Sequence, residues 1–218
     1  MYGLSRQLIF AFFLCVLSGI LFGYIANAIR RQTIERFDLS IIHFVQGFET
    51  SSLTAVMKFF TWVGSGYIVS IIALIGFLII YGKLKNRGQA LLLVFVVLGT
   101  ILLNHFLKLY FKRERPEIHR ILNANGFSFP SGHSMMAFSL YAIIAYIAWR
   151  HAKTVTSKTL LIILSAIMII MIGVSRIYLG VHYPSDVVGG YAASALWVTA
   201  SIVVYHFYRK KYVENRLK

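Results

Sequence analysis

Ala90-Leu-Leu-Leu-Val-Phe-Val-Val-Leu-Gly-Thr-Ile-Leu-Leu-Asn-His-Phe-Leu-Lys108-Leu109 is a run whose first charged residue comes at position 108. The hydrocarbon core of a bilayer takes about 20 apolar residues per helix, and this stretch meets that length. Five others read the same way: Leu8 to Ile29, Val63 to Tyr81, Ser134 to Trp149, Leu160 to Val174 and Val187 to Tyr208. The runs from Ser134 and from Leu160 are short, so their helices should extend into flanking polar residues. The whole chain agrees. Of 218 residues, 58% are hydrophobic and 13% charged, against roughly 25% charged in a soluble protein. The mean hydropathy is +0.73. A disordered chain, a coiled coil and a soluble enzyme are excluded. The expectation is an all-α, polytopic membrane protein: one domain over residues 1–218, built as a bundle of six transmembrane helices.

The first run ends in Ala26-Asn27-Ala28, which resembles a leader cleavage site, but its apolar core is too long for a secretory leader and reads as a retained helix. After it, Ile34, Phe37, Ile41, Val45 and Phe48 recur at spacings of three and four. They predict an interfacial amphipathic helix with that apolar face; a helix capping the bundle fits the pattern equally. The lone Cys15 allows no disulfide within the chain and reads as a small core residue.

Lys and Arg number 22 against 7 Asp and Glu, a formal charge of +15. The basic residues lie in short clusters between apolar runs, which excludes nucleic acid and leaves lipid headgroups or a phosphate-bearing substrate. With six spans, twelve lysines and arginines fall on the side of the termini and ten on the other. The balance predicts cytoplasmic termini. Arg30, Arg31 and Lys112-Arg113 read as headgroup-level anchors.

Polar groups beside membrane helices are costly and mark function. They concentrate in the connections between spans three and four and between spans five and six. Two spans separate these connections, so they share one face of the membrane. The first holds Lys108, Arg115-Pro116 and Pro130-Ser131-Gly132-His133. Lys108 and Arg115 point one way if the chain between them is helical. A glycine-bearing helix start also exposes free N–H groups to an anion. The second connection reads Ser175-Arg176 through His182-Tyr183-Pro184-Ser185-Asp186. Pro184 suits a first helical turn, which lets Asp186 accept from one nitrogen of His182 and aim the other at a substrate. Each residue alone has a plainer role: Lys108 can snorkel, Ser131 can cap a helix, and Asp186 can complement a helix dipole. Together they form an oxyanion site with two histidines, suited to phosphoryl transfer. Acyl transfer by Ser131 leaves three cations without work. A two-metal site lacks the acids. His105 and His119 read as interface and solvated residues, and His43, His151 and His206 as interface or surface.

Lys108-x6-Arg115-Pro116, Pro130-Ser131-Gly132-His133 and Ser175-Arg176-x5-His182-x3-Asp186 resemble, in order and spacing, the three signature motifs of the type 2 phosphatidic acid phosphatase superfamily, in its membrane lipid phosphatase branch. The motif core spans about residues 108–186. The resemblance implies His182 as nucleophile through a phosphohistidine, Asp186 orienting it, and His133 as general acid. It also implies phosphate binding by Lys108, Arg115, Ser131, Gly132 and Arg176, with no metal and no cofactor. Its implied substrate is a membrane lipid phosphate. Hydrolysis of phosphatidylglycerophosphate to phosphatidylglycerol comes first, with phosphatidic acid also within reach, and an undecaprenyl diphosphate phosphatase recycling the cell-wall lipid carrier second. A non-catalytic lipid binder or flippase on the same scaffold, and phosphotransfer to an alcohol, stand as alternatives. No obligate protein partner is implied, and the site is expected on the outer face of the cell membrane.

Overall fold

The computed structural model describes residues 2–216. Lys218 of the charge balance lies outside the described residues, as do the side chains of Arg6, Lys211 and Arg216. The described residues form α1 (Tyr2–Arg30), α2 (Glu35–Gln46), α3 (Ser51–Val63), α4 (Gly66–Leu78), α5 (Arg87–Phe111), α6 (Gly132–His151), α7 (Val155–Tyr178) and α8 (Pro184–Arg216). A wider π turn over Ile79–Lys83 prolongs α4. Among the described residues, six segments are long and apolar enough to cross a membrane: α1, α4 with its π turn, and α5 to α8. As the short runs implied, α6 and α7 extend into polar sequence, starting at Gly132 and ending at Tyr178.

One expectation about the N-terminal half is corrected. The second apolar run does not begin a helix at Val63; the chain breaks at Gly64-Ser65, and the Ser65 hydroxyl accepts from the Ile68 N–H to start α4. Before the break lies a helix the reading lacked, α3, capped by Thr50, whose hydroxyl accepts from Leu53 N at 3.2 Å. The amphipathic helix exists as α2, with Ile34, Ile41 and Val45 of its apolar face half-buried. Its buried residues are Asp38 and Ile42, while Phe37, Phe44 and Phe48 are exposed. A polar residue turns inward because it has charged partners there, described below.

The first helix packs most extensively on the last, and α6 sits against α5, α7 and α8. Val69, Leu93, Val96, Leu140, Ile143 and Val198 fill the core between them. Lipid is as apolar as leucine, so close packing and interhelical hydrogen bonds hold such helices together. Both are present. Thr100 Oγ1 donates to Ser139 Oγ at 2.8 Å, and Trp197 Nε1 donates to the Val96 carbonyl at 3.1 Å. Gly99 makes the second contact possible, because a Cβ there would run into the Trp197 ring. The outer faces of α1 and α5 present Phe12, Leu17, Leu98 and Leu102, as a lipid-facing surface requires.

The alternating direction of the spans brings the connections after α5 and after α7 to one end, together with α2 and α3. At the other end, Tyr146 and His206 share a hydrogen bond of 2.7 Å, Arg150 donates to the Tyr146 hydroxyl at 3.0 Å, and Gln89 meets His151 at 2.9 Å.

Candidate active site

The two connections are bonded into one unit. Ile121 N and Leu122 N both donate to the Leu179 carbonyl, at 3.1 and 3.3 Å. Gly180, with φ +72°, lies where a Cβ would collide with the His119 carbonyl; only glycine allows both that backbone and that approach. Gln46 of α2 donates to the carbonyls of His119 and Tyr178 at 2.9 and 3.2 Å.

Lys108 lies in the last turn of α5, its Nζ donating to the carbonyls of Phe127 and Ser128. The helix ends at Phe111 and Lys112 turns left-handed, so Arg115 does not share a helical face with Lys108. The two meet through the loop instead. Arg115 Nε donates to Gly126 O at 2.9 Å, and its Nη1 donates to Val181 O at 2.7 Å and to His182 Nε2 at 3.2 Å. A guanidinium can only donate, so His182 Nε2 is the acceptor and the ring proton sits on Nδ1. That Nδ1–H faces Asp186 Oδ2 at 3.2 Å. The expected pairing is present, and its tautomer leaves the Nε2 electron pair unprotonated, engaged by Arg115 alone.

His182 is 2% exposed. Burial, together with the Arg176 and Arg115 charges, pushes its pKa down to about 3 against the opposing pull of Asp186. The imidazole is therefore neutral over the physiological range. Burial also lowers the Arg115 pKa. Arg176, in the last turn of α7, is 4% exposed. Its Nη1 donates to Thr61 Oγ1 of α3, and its buried Nε has no acceptor among the described residues. A buried N–H without an acceptor is costly, and a phosphoryl oxygen is a partner suited to it.

His133 lies in the first turn of α6 without a hydrogen-bond partner among the described residues, within electrostatic reach of Arg176, His182, Arg115 and Lys108. Ser131 caps this helix: its Oγ accepts from Ser134 N at 3.4 Å and from Ser134 Oγ at 2.9 Å, and the residue is buried. The plainer role thus fits its contacts. Gly132 abuts Asn104, whose Oδ1 would stand 3.0 Å from an added Cβ. Lys108, Arg115, His133, Arg176, His182 and Asp186 therefore converge as expected, with Ser131 and Gly132 forming the helix start beside them.

Several site residues escaped the sequence reading. Ser128 donates its hydroxyl to Asp186 Oδ2. Arg113 is corrected: it is no headgroup anchor, its side chain being 12% exposed and paired with Asp186 Oδ1 at 2.7 Å and Asp38 Oδ2 at 2.8 Å. Burial works against its charge, but the Asp186 and Asp38 carboxylates prevail and raise its pKa. Thr61 and Asp38 come from α3 and α2, and no local pattern marks either. His105 faces outward, and His119 is 59% exposed and paired with Glu49, so neither belongs to the site. Beside Arg115, a cavity of about 1210 Å³ opens between the ends of α1 and α5 and the start of α2, lined by Arg30, Glu35, Lys112, Glu117 and Tyr183 among others.

Residues 89–211 match the PAP2 superfamily. The chain is 33% identical to phosphatidylglycerophosphatase B of Bacillus subtilis (strain 168), over 81% of its own length and 87% of that protein. It is 25% identical to an undecaprenyl-diphosphatase of Sulfolobus acidocaldarius, over 75% of each chain. Among solved structures it is similar to the crystal structure of a transmembrane PAP2-type phosphatidylglycerolphosphate phosphatase from Bacillus subtilis. That match has a TM-score of 0.76 and 29% identity, covering 90% of this chain and 96% of the other.

Proposed function

The chain belongs to the PAP2 superfamily, and on that premise we propose that it hydrolyses the terminal phosphate of phosphatidylglycerophosphate, releasing phosphatidylglycerol, through a phosphohistidine on His182. The observation that carries the reading is a neutral imidazole held by Asp186 and bonded by Arg115, with Arg176 beside it and Lys108 within electrostatic reach of Asp186 and both arginines. The Bacillus subtilis relative supports the substrate.

The terminal phosphoryl group binds Lys108, Arg115, the Arg176 Nε–H and the free N–H groups at the start of α6. Arg115 Nη1 exchanges His182 Nε2 for a phosphoryl oxygen, which frees the nucleophile's lone pair. Nε2 then attacks phosphorus, and the bond from phosphorus to the lipid oxygen breaks. His133 supplies the proton that the departing lipid oxygen needs. Asp186 accepts the Nδ1–H throughout and stabilises the positive charge on the ring. Water, deprotonated by His133, attacks the phosphohistidine and restores His182 with release of inorganic phosphate. The cations carry the transition-state charge, and no metal takes part. Lysine and arginine balance supports cytoplasmic termini and a site on the outer face. Phosphatidic acid offers the same monoester to the same groups.

A second reading, hydrolysis of undecaprenyl diphosphate, has the Sulfolobus acidocaldarius relative in its favour and uses the same residues in the same roles. Phosphate release by detergent-purified protein, with EDTA present, compares the two lipids directly. Faster turnover of phosphatidylglycerophosphate is expected; preference for the diphosphate selects the second reading, and loss of activity in EDTA removes the metal-free mechanism.

A further inference from the structure

Asp38 lies outside residues 89–211, the part matched to the family, yet it is fully buried at the site end. Its carboxylate has three donors. Oδ1 accepts from Ser185 N at 2.8 Å; Oδ2 accepts from Ser185 Oγ at 2.6 Å and from Arg113 Nη2 at 2.8 Å. Ser185 N belongs to the first turn of α8, whose N–H groups have no partner within their own helix. Asp38 therefore caps α8 from another helix, across 147 residues of sequence.

The other branch of the Arg113 fork bonds Asp186 Oδ1 at 2.7 Å and Ser185 Oγ at 2.7 Å. Its plane lies over the Tyr183 ring, 4.0 Å from the centroid, which fixes its tilt. The contacts of Asp186 divide cleanly. Oδ1 belongs to Arg113, while Oδ2 takes the Ser128 hydroxyl, Tyr183 N at 2.9 Å and His182 Nδ1. Rotation of the carboxylate would break both sets.

We propose that Asp38 and Arg113 are positioning residues for hydrolysis: they lock the Asp186 carboxylate in the rotation that presents Oδ2 to His182, so α2 is part of the catalytic apparatus. This rests on the reading of His182 as nucleophile. Two features make the pair necessary. A guanidinium tied to Asp186 alone could swing and carry the carboxylate with it, and the second carboxylate anchors its other branch. The charges matter as well. With Asp38 present, Arg113 divides its positive charge between two anions, and Asp186 keeps the negative charge that its partner imidazole needs as it becomes cationic. Lysine at 113 keeps the charge but cannot bridge both carboxylates in a fixed plane.

The test compares purified wild type with Asp38→Asn, Arg113→Lys and His182→Asn, using phosphatidylglycerophosphate and measuring kcat, KM and melting in detergent. Asp38→Asn and Arg113→Lys are each expected to lower kcat by about 10- to 100-fold, the range for partners that orient a working ligand, with KM within about 2-fold. In an Asp186→Asn background the same two changes should alter the residual rate by less than about 2-fold, because the group they position is gone. Wild-type kcat in both single variants, beside an inactive His182→Asn, overturns the proposal and leaves the mechanism standing. So does an unchanged effect in the Asp186→Asn background, or loss of a cooperative melting transition in both variants, which would assign the pair to folding. An active His182→Asn enzyme removes the phosphohistidine reading itself.

Discussion

Helices α6 and α8 each have a histidine in or just before their first turn and a quiet polar cluster at the other end. At the site end, His133 and His182 stand among Lys108, Arg115 and Arg176, with Asp186 bonded to one ring. At the far end, His206 bonds Tyr146 at 2.7 Å and Arg150 donates to the same hydroxyl at 3.0 Å; no carboxylate is bonded to that cluster among the described residues. Both clusters join helices by hydrogen bonds. The difference teaches that placing a histidine between helices does not make it reactive. On the proposed mechanism, the site end adds a carboxylate that fixes the tautomer and cations that collect an anion beside it.

The strongest way to break the contrast is His182→Asn, which keeps a side chain able to bond Asp186 but has no nucleophile. Turnover should fall by about 10⁶-fold, the scale of losing a covalent nucleophile, as measured by phosphate release. Arg176→Lys keeps the charge while losing the fork that holds Thr61 and offers Nε–H. A loss of about 10³-fold is expected, the lower end for removing an arginine from a phosphoryl transition state. Acid should sharpen the contrast in stability. His182 titrates near 6.5 when unfolded and near 3 when folded, so below 6.5 the unfolded chain takes up a proton that the folded chain refuses. Stability should drop as pH falls from 6.5 towards 3, and the melting temperature of His182→Asn should depend less on pH across that window. The smallest effect belongs to the far end. His206→Phe removes the hydrogen bond to Tyr146 and the longer one, 3.5 Å, to Arg150, so it should leave turnover unchanged and lower stability by about 1 kcal/mol, read by thermal unfolding.

The six spans were legible because a bilayer leaves no choice of composition: each crossing must be a long apolar run. The motif residues were legible because glycine, proline and paired polar groups beside such runs are too costly to stand there without a task. What stayed hidden depends on partners distant in sequence. Arg113 follows Lys112 in a basic stretch at a helix end, which is also how a headgroup anchor reads; its partner Asp38 is 75 residues away. Asp38 itself stands beside Glu35 and Arg36, and α2 is read from Ile34, Phe37, Ile41, Val45 and Phe48, so nothing local sets this acid apart. Helix α3 was hidden because its Val56, Phe59 and Phe60 run into the next apolar stretch. The Thr50-Ser51-Ser52 start was the signal that could have revealed it.

The packing of the first helix on the last has a consequence for biogenesis. A ribosome makes α1 long before α8, and α1 must wait in the bilayer for the surface it will cover. Lys108, Arg113, Arg115 and Arg176 all emerge before His182, and Asp186 follows it. A nascent chain halted between Arg176 and His182 thus holds every cation of the site and neither His182 nor Asp186. With His182 as the proposed nucleophile, translation order itself keeps the unfinished protein from acting on the lipids around it.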